Sequence, residues 1–563
     1  MSAAATQEYQ QPAAIPRSVS LFRQLLELLM LLGLVWTPAW CQEAAKGPGN
    51  TPPPTEEATF DVLEFLVEGN SVLGAPEIER AVYPFLGPHR HFADVEGARK
   101  ALEEVYQKLG YQTVFVEIPE QRIEDGRVRL KVLEGRVEQS RVVGARYFSL
   151  GEIRNRVDEL RPGSVPDFNR MQEQLAQLNR MPDRQVSPVL RAGTVVGSVD
   201  ADLSVKDAFP LHADVEIDNH ASPFTRPLRS NVGIHYDNLW QREHSFGLNW
   251  QTAPQAPSQA NVAYGTYLWR FDRSSDVLSI YAIRSSSDIA IVGGTTVLGN
   301  ARIAGLRYIK PLPGAGSFVQ SLTLGIDGKD FQQSNLRASD GSIDVLPHIR
   351  YVPLGLTWGG SYSGDIALAQ ASLGLNTAPR GLFGNTDQKF AARRVVGEAS
   401  WLAWKWDLSG EVLLGRHLSL FAHAGGQWTP DPLIPNEQAS VGGADTVRGY
   451  TESELVADKS AFGSLEFRIH PFGRAQVMAD STLQRYALLF VDGGAVRMNE
   501  PLGPQVRSAQ IASTGLGLRL QGWHGLRLSV DAAHALRDGG SGTAGPITRR
   551  GKTWLGFLLG YAY

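Results

Sequence analysis

Residues 553–563 read TWLGFLLGYAY. Successive side chains on a strand point to opposite faces. Leu555, Phe557, Leu559, Tyr561 and Tyr563 therefore share one face, and Gly556, Leu558, Gly560 and Ala562 the other. A tilted membrane strand takes about 9–11 residues, and this segment has that length. A face that is apolar throughout and ends in tyrosines suits a strand whose outside meets lipid and whose end meets the interface.

Working back along the chain, the same alternation recurs. In Ala461–His470, Leu465, Phe467 and Ile469 point one way, while Ser464, Glu466, Arg468 and His470 point the other. About sixteen such segments begin near His212, Asn231, Ser245, Asn261, Val277, Thr296, Ser317, His348, Gly364, Val395, Leu418, Ala461, Tyr486, Ser513, Gly525 and Thr553. Residues 209–563 are expected to form an all-β transmembrane barrel of about 16 antiparallel strands. An even number returns both ends to one side of the membrane, and a barrel this wide holds a lumen that has to be filled or gated.

Composition agrees. Lys+Arg number 54 against 58 Asp+Glu, a net charge of −4, which disfavours a nucleic-acid partner. Charged residues are 20% and glycines number 58, a profile of many alternating strands rather than a bundle of membrane helices. The single cysteine, Cys41, excludes an internal disulfide and a cysteine-based zinc site.

Arg17 and Arg23 precede the apolar run Leu25–Trp36, which is followed by Thr37, Pro38 and Ala39. That is the layout of an export signal, and the run falls short of the about 20 residues of a spanning helix. Residues 1–42 are read as a signal peptide. Residues 43–58, with KGPGNTPPPTEEA at 46–58, are read as a linker.

Between linker and barrel the chain mixes strand and helix patterns. Residues 59–135 give a strand at Phe60–Val67, a turn at Glu68-Gly69-Asn70 and a helix near Pro76–Tyr83. A second helix, capped by Asp94, carries the stripe Val95, Ala98, Leu102, Val105 and Leu109. Strands at Thr113–Ile118 and Arg127–Leu133 are joined through Asp125-Gly126. Residues 136–208 repeat the β-α-α-β-β order: a strand near Val137–Val143, helices near Leu150–Leu160 and Phe168–Asn179, and strands near Gln185–Leu190 and Val199–Val205. Gly144 lies 75 positions after Gly69. Shared order and direct succession point to duplication.

Two short motifs stand out in the barrel half. VGGADTVRGY, Val441–Tyr450, lies in a long non-strand stretch at 429–459, and Phe490-Val491-Asp492-Gly493-Gly494 lies inside a strand. Period two places Phe490, Asp492 and Gly494 on one face. Asp492 is expected to face the lumen, because a charge facing lipid is costly. Arg448 is a candidate partner if its loop folds back, with Gly442, Gly443 and Gly449 permitting tight bends. Spacing alone leaves open a solvated surface loop and an unrelated lumenal Asp.

At these residues the sequence resembles a known family. Val447-Arg448-Gly449-Tyr450 resembles the V-R-G-[YF] signature of the Omp85 superfamily, and Phe490, Asp492 and Gly494 its F-x-D-x-G motif. The duplicated unit resembles the POTRA domain. Leu109–Arg136 is similar to the first POTRA of two-partner secretion transporters of the haemolysin-activator type (TpsB). The resemblance implies two periplasmic POTRA domains that capture an unfolded exoprotein, a TpsA-like client typically folding as a β-helix, and an outer-membrane pore that passes it to the cell surface. It further implies an Arg448–Asp492 pair acting in gating. Leu555, Phe557, Leu559, Tyr561 and Tyr563 would be a C-terminal signal read by the barrel assembly machinery before insertion into outer-membrane lipid. The alternative within the superfamily is an assembly factor that inserts other barrels. The sequence departs from the family in two ways. The stretch between the expected cleavage site and Phe60 is short and Pro-rich, which disfavours a full-length plug helix, and Asp218-Asn219 lacks the usual Thr-Gly. No G-x-S-x-G, H-E-x-x-H or P-loop is present, and His89 and His91 read as a solvated loop. No enzymatic activity, metal or cofactor is expected.

Overall fold

The computed structural model describes residues 59–563, apart from 338–342, 472–483 and positions 196, 273, 288, 293–294, 299, 503–504, 524 and 543–544. The signal peptide and linker readings lie outside the described residues. The chain divides into two compact units, with Pro210–Tyr563 forming one of them.

In the N-terminal unit, Glu64–Glu68 pairs in parallel with Arg127–Glu134, which pairs antiparallel with Val114–Glu117. Helices Ala75–Val82 and Phe92–Lys108 complete this subdomain. Three expectations need correction. The first strand breaks at Leu63, because Phe60–Val62 turns to pair with Gly87–Arg90; His89 thus belongs to a short ladder. The second helix starts at Phe92, not Asp94. His91 is the N-cap, and the Asp94 carboxylate accepts the His91 N–H at 2.9 Å in a reciprocal capping box. Its buried stripe is Val95, Ala98, Leu102 and Tyr106, whereas Leu109 lies beyond the helix end and is exposed.

The next subdomain has the same plan. Arg136–Val143 runs parallel to Ser198–Asp207, which pairs antiparallel with Arg184–Ala192. Helix Phe168–Leu178 starts on the side chain of Asp167, which accepts the N–H groups of Asn169 and Arg170. The helix expected at 150–160 splits into Leu150–Asn155 and a 3-10 turn at Asp158–Leu160, because Val157 leaves helical geometry at φ −113°, ψ 72°.

The 75-residue spacing has a structural cause. Gly69 and Gly144 sit at φ +86° and +93°, and a Cβ on either would lie 2.4 or 2.5 Å from the carbonyl oxygens of Val132 and Val205. Two residues past those carbonyls, a carboxylate collects the N–H groups that follow each glycine. Glu134 accepts from Ser71 and Val72, and Asp207 from Arg146 and Tyr147. Both subdomains therefore close the same turn with the same device.

Glu138 is held down to about 2 by hydrogen bonds from Ser198 and Thr194 and by the Val195 N–H. A carboxylate whose pKa is depressed on folding contributes stability that is full above its ordinary value of 4.5 and lost as pH falls towards about 2. In acid titrations of unfolding, Glu138→Gln should show less loss of stability across that window than the native chain.

The barrel strands are β1 (Leu211–Asp218), β2 (Arg229–Leu239), β3 (His244–Thr252), β4 (Ala260–Arg270), β5 (Val277–Ser287), β6 (Ala301–Ala315), β7 (Phe318–Phe331) and β8 (Ile349–Ser363). They continue as β9 (Ala367–Thr377), β10 (Leu402–Leu413), β11 (Leu418–Trp428), β12 (Lys459–Ile469), β13 (Gln484–Arg497), β14 (Ser508–Trp523), β15 (Leu526–Ala535) and β16 (Thr553–Ala562). Each pairs antiparallel with its neighbours in sequence, and β16 returns to β1, giving the closed sixteen-strand barrel. β8 breaks at Val352-Pro353, yet both parts pair with β7; a proline cannot donate to the ladder.

β6 begins at Ala301 rather than near Thr296, because Thr295–Leu298 pairs with Ile289–Val292 outside the barrel. β10 begins at Leu402 rather than near Val395, because the β9–β10 connection carries a helix at Asp387–Arg393. On β16 and the residue that follows it, Leu555, Leu559, Tyr561 and Tyr563 are 62, 46, 53 and 79% exposed, whereas Gly556 and Gly560 are buried, so the aromatic-ended face points outward. The β16–β1 seam is short, Leu558–Ala562 against Asp214–Asp218. Asn219 lengthens it: its side chain donates to Leu555 O at 2.8 Å and accepts from Phe557 N at 2.9 Å.

Candidate functional site: a loop locked to the barrel wall

The β11–β12 connection enters the lumen. Within it, Ala439–Val441 and Leu455–Ala457 form a short hairpin ladder, so the stretch expected to be free of strands contains one. Beyond that ladder the chain turns sharply. Gly442, Gly443 and Gly449 take φ of 116°, 109° and 89°, a region open to glycine at little steric cost. Gly443 N–H donates to Val447 O at 3.2 Å, closing the tip.

This turn delivers Arg448 to the wall. Its Nε and Nη2 donate to the two oxygens of Asp492 at 2.8 Å each, and its own backbone N–H donates to Asp492 at 3.0 Å. Nη1 reaches Glu466 on β12 at 2.8 Å, and Nη2 reaches Ser464 at 3.0 Å. The guanidinium carbon lies 3.6 Å from the centroid of the Phe490 ring. Arg448 is 5% exposed and Asp492 1%, so both charges depend on one another and on these hydrogen bonds. The fork and stacking geometry is specific to arginine.

The third position of the wall motif is steric. A Cβ on Gly494 would stand 2.4 Å from Val441 and 3.0 Å from Val447. Phe490, Asp492 and Gly494, two residues apart on the lumenal face of β13, thus supply a stacking surface, a counter-charge and clearance for one loop. Gly515 on β14 leaves the Phe490 ring its space, since a Cβ there would lie 2.5 Å from it. The Tyr450 hydroxyl bonds the carbonyls of Ala512 at 2.9 Å and Arg537 at 2.8 Å. Gly449 faces Ala533, where a Cβ would stand at 3.1 Å. Val447 is fully buried against Val441, Leu455, Val496 and Ile511.

All seven motif residues named from sequence therefore meet in one place. The five residues of the terminal strand do not join them and lie on the outer face. Gly494→Ala should prevent the loop tip from seating. In a Cys41→Ser background, a Thr446→Cys reporter should label faster with a membrane-impermeant maleimide once Gly494→Ala is added.

The network continues along the wall. Arg468 bridges Glu466 at 2.7 Å and Glu411 at 3.1 Å, and stacks 3.9 Å above Phe421. At the loop's two feet sequence reasoning missed further anchors. Asp458, fully buried, accepts from Arg394 at 2.6 Å, Leu433 N at 2.9 Å and Asn499 N at 2.7 Å. Glu437 accepts from Lys329 and Tyr351 at 2.6 Å each. These partners lie 64, 108 and 86 positions apart in sequence, and no local pattern marks them.

Comparison with known proteins bears on the domains and the fold. A family model described as "POTRA domain, ShlB-type" matches residues 60–135, and one described as "Haemolysin secretion/activation protein ShlB/FhaC/HecB" matches residues 357–520. Among curated proteins, the outer membrane transporter CdiB of Escherichia coli is 22% identical over 433 residues, covering 72% of this chain and 68% of that protein. The heme/hemopexin transporter protein HuxB of Haemophilus influenzae is 20% identical over 485 residues, covering 84% and 83%. The solved structure of CdiB from Escherichia coli superposes with a TM-score of 0.62 at 17% identity, covering 92% of this chain and 93% of that one. CdiB from Acinetobacter baumannii gives 0.56 at 15% identity, covering 96% and 97%. These structural likenesses speak for the fold. The matched family models make the chain similar to the ShlB/FhaC/HecB haemolysin secretion/activation family over residues 60–135 and 357–520.

Proposed function

We propose that this chain is an outer-membrane pore that captures an unfolded exoprotein through its periplasmic POTRA domains and passes it to the cell surface. The observation that carries this reading is the loop locked inside a closed sixteen-strand barrel by Arg448 and Asp492. A lumen of that width requires a gate, and a buried charge pair on a glycine-hinged loop supplies one.

Capture is supported by the sheet edges of the N-terminal unit. Val114–Glu117 and Arg184–Ala192 are edge strands, with Phe115 56% and Val189 40% exposed. Extended client segments can add to such edges through main-chain hydrogen bonds, with apolar side chains gripping the neighbouring surface. The client is a TpsA-type protein that folds outside, as a β-helix in this reading, and its folding supplies direction. The outward residues Leu555, Phe557, Leu559, Tyr561 and Tyr563 serve recognition by the assembly machinery and contact with lipid.

The test is secretion with and without the gene. Candidate large exoproteins, above all one encoded beside it, are quantified in medium and periplasm, together with total outer-membrane barrel proteins. Loss of one exoprotein from the medium with other barrels unchanged is the expected result. A general fall in barrel proteins would mean that the chain is an assembly factor instead.

A further inference from the structure

β1 and β2 bring together three metal-ligating side chains that are far apart in sequence. His212 and His235 are direct cross-strand partners in the β1–β2 ladder. Asp237 lies two residues further along β2, on the same face by the period of the strand. That face is lumenal, since the intervening side chains Val215, Ile217, Val232 and Ile234 are 47, 39, 39 and 46% exposed on the outside of the wall. The two imidazoles stack with centroids 4.8 Å apart and planes at 26°. Their Nε2 atoms stand 3.8 and 3.4 Å from one Asp237 oxygen, and one potential ligand atom from each residue falls within 4.8 Å of the others.

These distances suit a shared cation. Zinc binds imidazole nitrogen and carboxylate oxygen at about 2.0–2.2 Å, which sets ligand atoms of a tetrahedral site roughly 3.3–3.5 Å apart. The observed 3.4 Å is already there, and 3.8 Å needs a side-chain shift of a few tenths of an ångström. Neutral imidazole is the commonest side-chain ligand of such cations. Asp237 is 6% exposed and supplies the negative charge, and the Ser245 hydroxyl hydrogen-bonds and orients its carboxylate. The Arg270 guanidinium donates to the Glu243 carbonyl and the Ser245 hydroxyl at 2.7 Å each. A donor set of two imidazoles and one carboxylate selects a borderline transition cation over Mg²⁺ or Ca²⁺, which want oxygen ligands alone.

We propose that His212, His235 and Asp237 form a binding site for one divalent transition-metal ion of the Zn²⁺ class, clamping β1 to β2 at the end of the barrel where Pro210 leads into β1. The site is independent of the export reading.

The experiment uses the full chain without a polyhistidine tag, purified in detergent and freed of metal. Co²⁺ is titrated while its visible d–d absorption is recorded, and Zn²⁺ is then added as competitor. One equivalent of Co²⁺ with the intense bands of a four-coordinate site, displaced by Zn²⁺, is the expected result. His212→Ala and Asp237→Asn should each weaken binding on the order of a hundred-fold, while the His89→Ala/His91→Ala double variant should bind as the native chain does. A second measurement needs no variant. Zn²⁺ should protect His212 and His235, but not His89 or His91, from carbethoxylation read by mass spectrometry. Absence of saturable Co²⁺ binding, binding undiminished in His212→Ala, or equal labelling of His212 and His235 with and without Zn²⁺ would each overturn the proposal and leave an ordinary hydrogen-bonded His–Asp pair.

Discussion

Arg448→Ala should stop most export while leaving the barrel inserted and heat-modifiable in the outer membrane. The substitution removes the one guanidinium that both Asp492 oxygens and Glu466 share, and it uncovers the Phe490 ring. Removing one partner of a buried ion pair costs about 3–5 kcal/mol, because the other charge is left buried and unpaired. That cost falls on the seating of the loop, since the ladders of β12, β13 and β14 do not pass through Arg448. Arg448→Lys should be intermediate at best: it keeps the charge and loses the two-point fork and the flat stack. The readouts are exoprotein in the medium, exoprotein held in the periplasm, and electrophoretic mobility of the barrel before and after heating. Normal export by Arg448→Ala with a folded barrel would remove the gate from the mechanism.

Deleting residues 60–135 should abolish export altogether and leave client in the periplasm. The deleted span is the one matched by the ShlB-type POTRA model, and it takes out a complete sheet, both of its helices and the apolar core around Leu102, Tyr106 and Leu130. The barrel is a separate compact unit, closed by its own β16–β1 seam, so it should still insert and show heat-modifiable mobility. A periplasmic pull-down with the client's N-terminal segment separates capture from translocation: the native chain should retain the segment and the deletion variant should not. Undiminished export would show that the client engages another part of the chain.

The barrel was legible because a membrane strand carries its burial pattern in every second residue. Period two in Ala461–His470 and Thr553–Tyr563 assigned the outer faces that the structure has, and most of the sixteen strands begin within a few residues of the expected positions. Of the misplaced starts, those near Thr296 and Val395 fall where connections carry their own hydrogen-bonded structure, an extra hairpin and a helix, whereas Ser513 lies inside β14, which already begins at Ser508. Local polarity cannot separate such segments from a strand end. The N-terminal units were legible in order but not in detail. The Asp94 cap was offset by three positions, because a capping-box carboxylate at N3 looks in sequence like an N-cap. Tyr106 took the place expected of Val105, because a 3.6-residue period leaves two adjacent positions competing for one face.

At the locked loop, the residue types and their faces came from the sequence. A charge at 492 on a strand with an apolar opposite face had to look inward, and glycines at 442, 443 and 449 had to mark a tight bend. Spacing left the meeting of Arg448 with Asp492, 44 positions apart, as one of two open readings and resemblance favoured it, and only the folded loop gives the pair its distances. Asp458 with Arg394, Glu437 with Lys329, and His212 with His235 and Asp237 left no trace in sequence. By itself, then, the sequence determined the class of fold, the sidedness of its strands and the residues able to bend or carry charge, because these depend on neighbours two to four positions away. Tertiary structure alone decided which charges are paired and which glycines must stay bare, because those depend on strand register and on a loop returning to the wall from a distance that no local period records.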